Sequence, residues 1–253
     1  MNCRYCGKET NLINAHVIPE GFFRRLRNGQ DPPRLLTNKA NEYPKRAPVG
    51  VYDTNILCEK CEPLFGDWDN YAQQFLTEQR PPGEVIYSEG QRVAYKVQKY
   101  DYAKLKLFFV SLIWRASVSE HPFYNRIKLG PFEKAAKDLI ERCEPGNEHE
   151  FGVTLAKFDH PLGTAILNPH PEKREGINYC RFYLGSYVAY IKMDKRISPK
   201  PLGDFLLTPR PPLYIICRNL EKSKELPLMR KIALSANSRL QPTRKRRGWS
   251  ESL

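Results

Sequence analysis

The sequence predicts an α+β protein in which a small, zinc-bound N-terminal unit precedes a larger α+β domain with two helices and a mostly antiparallel sheet. Three observations predict it. Two CxxC pairs, Cys3/Cys6 and Cys58/Cys61, bracket a polar N-terminal region rich in proline. Residues 101–119 and 131–143 carry apolar side chains at helical spacing. The remaining segments are dense in β-branched and aromatic residues, broken by Pro and Gly. The expected division of the 253 residues is 1–80 for the metal-bound module, 81–222 for the α+β domain, and 223–253 for a basic, flexible tail.

Each element has its own signal. Gly29 to Val51 is rich in Pro, Asn, Lys and Arg and reads as a long loop that a metal ion would close. Phe65, Trp68, Ala72, Phe75 and Leu76 predict a helix over 63–78, ended by Arg80-Pro81-Pro82-Gly83. Val85 to Val97 reads as a short strand or a hairpin around Glu89-Gly90. Asp101 is a suitable cap for the next helix, whose apolar face is Leu105, Phe108, Phe109, Leu112, Ile113 and Ala116. Pro131 suits the first position of the helix that follows. Strands are expected over 152–158, 163–167, 179–191 and 213–217.

Composition narrows the function classes. The longest apolar stretch, Leu107 to Trp114, is interrupted only by Ser111 and falls far short of the ~20 residues of a membrane helix. The N-terminus has no signal-peptide pattern, so a cytoplasmic protein with no membrane partner is expected. The net charge of +13 favours polyanionic partners, because Lys and Arg release counterions from phosphates. Residues 222–253 hold nine Lys or Arg against two Glu, so much of that excess is local. A run such as Arg244-Lys245-Arg246-Arg247 reads as a solvated tail able to hold nucleic acid loosely.

Seven cysteines, an odd count, argue against a disulfide framework. Cys143, Cys180 and Cys217 are scattered and read as small hydrophobes. Cys3-Arg4-Tyr5-Cys6-Gly7 and Cys58-Glu59-Lys60-Cys61 read as two zinc knuckles. Two intervening residues let both sulfurs reach one ion from a tight turn, and four thiolates leave no open position. Such a site is structural. A redox dithiol would need one pair in a thioredoxin-like setting, which the sequence lacks.

Asn14-Ala15-His16-Val17-Ile18-Pro19 stands between the pairs, Asp53-Thr54-Asn55 precedes the second, and Glu62 follows it. With these residues the chain resembles the HNH nucleases, also called ββα-metal or treble-clef nucleases, over residues 1 to about 75. The chain as a whole is similar to bacterial HNH proteins found near phage-defence genes, which implies a role in antiviral defence. The resemblance implies that His16 is the general base, an imidazole being suited to proton abstraction near neutral pH. It implies that Asn55 orients that histidine. Glu62 stands where the family's last His binds a catalytic ion, and a carboxylate suits Mg²⁺ or Mn²⁺. Ala15 stands where the family usually has a further ligand, leaving Asp53, Asp67 or Asp69 as substitutes.

Structural alternatives accompany each assignment. Asn55 could cap a turn. Glu62 could favour a helix start. Arg24, Arg25 and Arg27, expected on a helix from about Glu20, either bind DNA phosphates or form a solvated face. Lys45 and Arg46 are similar candidates. No chemistry is assigned to His121, His149, His160 or His170. The expected function is a DNA endonuclease or nickase, RNA not excluded, with structural Zn²⁺ and catalytic Mg²⁺ or Mn²⁺. One metal site cuts one strand, so a double-strand cut needs a homodimer, a partner or two events. The alternative is a catalytically inactive, zinc-stabilised nucleic-acid-binding or protein-interaction module.

Overall fold

A computed structural model describes residues 1–27, 33–36, 44–77, 83–159 and 166–240, with 236–240 described for backbone alone. Among these residues the chain is mixed α+β, with five α-helices and a seven-stranded sheet.

The N-terminal unit is built on short elements. Strand β1 (Ala15–His16) leads through Pro19 into helix α1 (Glu20–Arg24). Within the expected long loop, the described residues include a two-residue ladder, β2 (Arg34–Leu35) with β3 (Lys45–Arg46). Strand β4 (Tyr52–Asp53) returns to pair antiparallel with β1, Ala15 opposite Asp53 and His16 opposite Tyr52. A 3₁₀ turn at Glu62–Phe65 then runs into α2 (Gly66–Thr77), close to the expected helix.

The hairpin appears as β5 (Glu84–Ser88) and β6 (Gln91–Val97), turning at Glu89 and Gly90, both with positive φ. Helix α3 (Tyr102–Val118) starts where the Asp101 carboxylate accepts from the Lys104 N–H at 3.0 Å. It was expected to bury one face. In fact every residue from Leu105 to Ser117 is buried. Neighbours surround it: α2 on one side, α4 (Glu133–Arg142) on another, and Phe22 of α1 stacked on Phe108.

The large sheet has the order β5-β6-β11-β7-β10-β9-β8. Its later strands are β7 (Val153–Phe158), β8 (His170–Arg174), β9 (Ile177–Leu184), β10 (Tyr187–Lys192) and β11 (Leu213–Arg218). All neighbours are antiparallel except β11 and β7. The expected single run 179–191 is two strands, because Gly185 takes a φ of 68° and reverses the chain. Strand β8 carries no strong β signal in its sequence. Of the strand expected at 163–167, only Ile166 and Leu167 are described, and they lie outside any strand.

The tail expected from 223 is corrected over its first half. Residues Glu225–Leu240 form helix α5. Its first carboxylate is buried and held by Arg181 (2.6 Å) and Arg218 (2.9 and 3.0 Å), which anchors the helix to the sheet. The run Arg244–Arg247 lies outside the described residues. Among the described residues, 81–222 holds the two expected α-helices, α3 and α4, and α5 follows them. Buried side chains from Cys3 to Ile215 form one contiguous cluster, so the N-terminal unit shares its core with the rest. No helix among the described residues is long and apolar enough to cross a membrane.

Candidate functional site

The two knuckles close by backbone geometry. Gly7, with a φ of 71°, donates its N–H to Cys3 O at 2.8 Å, a conformation that disfavours a β-carbon. Cys61 and Glu62 both donate to Cys58 O, at 3.0 and 3.1 Å. Arg4 N–H donates to Ile56 O at 2.9 Å, and Leu12 bridges to Cys58, joining the knuckles. In consequence the metal-binding atoms of Cys3, Cys6, Cys58 and Cys61 all lie within 4.8 Å of one another. Four sulfurs at about 2.3 Å from one tetrahedral ion stand about 3.8 Å apart, so a small contraction completes the site. None of the four is in a disulfide.

The thiols are electrostatically unlike. Burial opposes charge on Cys3, but hydrogen bonds from the backbone of Cys6, Cys58 and Tyr5 outweigh it and bring the thiol down to about 7. Burial, then the neighbouring thiols, push Cys61 well up. Four crowded sulfurs cannot all ionise unaided, whereas one dication would satisfy them together. The donor set fits zinc.

His16 ends β1 and is partly buried. Its Nε2 lies 2.8 Å from Val49 O. A carbonyl only accepts, so Nε2 carries the proton and the neutral ring keeps Nδ1 as its basic atom. Val49 O thus fixes the His16 ring. The Asn55 backbone N–H donates to Asp53 Oδ1 at 2.8 Å, so the side chain that caps this turn is Asp53.

Strands β1 and β4 are both gripped by α3 and its exit. Arg115, 2 % exposed, donates from Nη1 to His16 O at 3.0 Å and holds Asp69 at 2.6 and 2.9 Å. Its guanidinium lies 4.9 Å from the Phe65 ring centroid. Across the ladder, Asp53 Oδ2 accepts from Ser119 Oγ at 2.6 Å and from the backbone N–H of Glu120 and His121 at 3.2 and 3.3 Å. A charge in an apolar helix was the available sequence signal for Arg115, since Arg is rarely buried without a partner. The Ser119–His121 contact had none.

A groove of about 690 Å³ runs along this ladder. Lys45, Arg46, Val49, Tyr52 and Asn55 line one part, and Glu120 and His121 another. Val49, whose carbonyl holds His16, belongs to the wall; His16 itself does not. Neither does Glu62; it is half-buried at the start of the 3₁₀ turn, its N–H on Cys58 O. Lys45 and Arg46 are exposed on β3. Arg24, Arg25 and Arg27 are exposed around the end of α1, with Arg24 on Glu20 at 2.9 Å and Arg27 on Pro48 O at 3.2 Å.

A catalytic divalent ion finds less support. Among the described residues no group of three or more His, Cys, Asp or Glu converges besides the four cysteines. The three carboxylates that could replace a ligand at Ala15 are each engaged. Asp53 holds the α3 exit, Asp69 holds Arg115, and Asp67 pairs with Lys104 at 3.0 Å. Ala15 itself is fully buried. These residues do not compose a protein-built Mg²⁺ or Mn²⁺ cage. No family model, curated protein or solved structure matches the chain.

Proposed function

We propose that the chain is a zinc-stabilised HNH-type endonuclease acting on nucleic acid, DNA first, in bacterial antiviral defence. The single observation carrying this is the pairing of His16 with Tyr52 in the segment that the four converging cysteines bracket along the chain. That ladder presents a histidine, fixed by Val49 O, next to a groove with Lys45 and Arg46 on its wall. In this reading His16 Nδ1 takes the proton from the attacking water, while Nε2–H stays on Val49 O and fixes the ring. Lys45 and Arg46 bind the phosphate backbone, and Arg24, Arg25 and Arg27 extend the contact. A divalent ion would have Glu62 as its candidate protein ligand, outside the groove wall, with water filling the remaining positions in the manner of Mg²⁺ sites with few protein ligands.

One specific observation favours a second reading. The engaged state of Asp53, Asp67 and Asp69 suits a nucleic-acid-binding module that does not cut. Incubating supercoiled plasmid with wild type and His16→Ala in Mg²⁺, Mn²⁺ or EDTA separates the two. Metal-dependent nicking lost in His16→Ala is the expected result. Equal binding without cutting by both proteins would leave the second reading. No retention of DNA at physiological salt would remove both and favour a protein-interaction role.

A further inference from the structure

His121 was assigned no chemistry by the sequence, yet the fold brings it to the groove from 66 residues beyond Asn55, whose neighbour Asp53 it contacts. Its ring is fixed in two ways. Nδ1 accepts from the Phe123 N–H at 3.1 Å, and the ring packs on Tyr124 at 6.2 Å between centroids. Its backbone N–H is fixed too, on Asp53 Oδ2 and on Ser119 Oγ at 3.1 Å. An Nδ1 that accepts has no proton, so the neutral ring must carry its proton on Nε2. Burial also disfavours the charged form, against the opposing pull of Asp53.

His121 is therefore the same Nε2–H tautomer as His16, with the opposite ring nitrogen engaged. In His16 the donor nitrogen is committed to a carbonyl and Nδ1 is basic. In His121 the acceptor nitrogen is committed to an amide and Nε2–H is the donor. A groove with an acceptor imidazole beside it and a donor imidazole on its wall has distinct uses for each. The donor suits an anionic oxygen, since a hydrogen bond to a charged group is worth more than a neutral one.

We propose that His121 is a phosphate-binding residue of this groove, its Nε2–H donating to a non-bridging oxygen of the nucleic-acid backbone that Lys45 and Arg46 attract. The proposal deepens the nuclease reading and rests on its groove, but not on cleavage. It also gives the larger part of the chain a part in binding, because His121 follows α3 rather than belonging to residues 1–80.

The test uses the full-length, zinc-loaded protein and a short DNA duplex as probe. His121→Asn keeps an acceptor near the Nδ1 position for the Phe123 amide and deletes the Nε2 donor. His121→Gln restores an N–H near Nε2. Duplex affinity measured by anisotropy in EDTA should fall about tenfold in His121→Asn, with melting temperature and zinc content unchanged, and recover in part in His121→Gln. Long-range ¹H–¹⁵N spectra should show the His121 ring as the Nε2–H tautomer at neutral pH, with its Nε2 signal shifting on duplex addition.

An Nδ1–H tautomer, unchanged affinity in His121→Asn, or duplex binding that leaves the His121 signal in place would overturn the proposal. So would a wild type that retains no duplex at low salt. Wild type that binds duplex and shifts the His121 signal but nicks nothing in any divalent ion would support the phosphate site while sinking the nuclease reading.

Discussion

Replacing Arg115 with Met tests the link between the metal-bound unit and the rest of the chain. The guanidinium is 2 % exposed and Asp69 is 16 % exposed, so solvent screens this pair little. Arg115→Met keeps the bulk of the stem but leaves Asp69 without its cation and His16 O without its donor. Breaking a buried pair from one side costs about 3–5 kcal/mol, because the surviving charge stays desolvated. Asp69 sits in the first turn of α2, where the helix dipole offsets some of that cost. The lower end, about 3 kcal/mol, is therefore expected. For a chain of this size that lowers the melting temperature by roughly 6–12 °C. The double variant Arg115→Met/Asp69→Leu removes both charges and should recover most of the loss, giving a coupling of about 2 kcal/mol. Urea denaturation followed by circular dichroism on the four proteins of this cycle supplies the numbers. A single-variant loss below about 1 kcal/mol, or additive losses in the double variant, would refute the reasoning.

Three other outcomes are expected. Cys58→Ser should lose the bound zinc and unfold residues 1–77, read as near-complete protection loss there by hydrogen exchange; a variant with unchanged melting and one zinc per chain would contradict it. Lys106 is fully buried on α3, and burial lowers its pKa to about 7. Between pH 7 and the unfolded value the unfolded chain binds the extra proton, so stability should rise with pH by about 1.4 kcal/mol per unit across that window. Lys106→Met should remove that slope and be more stable at pH 7, and parallel urea midpoints for both proteins at pH 7.5 and 9.5 would count against it. Finally, Lys45→Gln/Arg46→Gln should reduce the slope of log affinity for duplex DNA against log salt by about 2, since each phosphate contact contributes about 0.9; an unchanged slope would take both residues off the DNA path.

What the sequence revealed and what it concealed follow from how far each signal reaches. The knuckles were legible because two residues between thiolates are a local geometric requirement, and the sulfurs do converge. The hairpin at Glu89-Gly90 and the capped start of α3 were legible for the same reason, each being set within a few residues. Helix α5 was hidden because its anchor is not local: Glu225 is held by Arg181 and Arg218 on the sheet, and the segment reads together with the basic run that follows it. The all-round burial of α3 was hidden likewise, since the partners that enclose Lys106 and Arg115 come from distant parts of the chain. The candidate site divides along the same line. His16 and Asn55 could be picked out by their positions relative to the cysteines, but what holds each of them could not. Val49 O fixes the imidazole, Asp53 fixes the Asn55 amide, and Arg115 and Ser119 fix the two strands. All but the Asp53–Asn55 turn are supplied by chain folding over a distance, which a motif does not encode. A short ladder of two residue pairs has little stability of its own, and three or more strands or a packed helix are usually needed. Here α3 supplies that support from both ends of the ladder, so the part of the chain without a recognisable motif is what makes the motif's geometry possible.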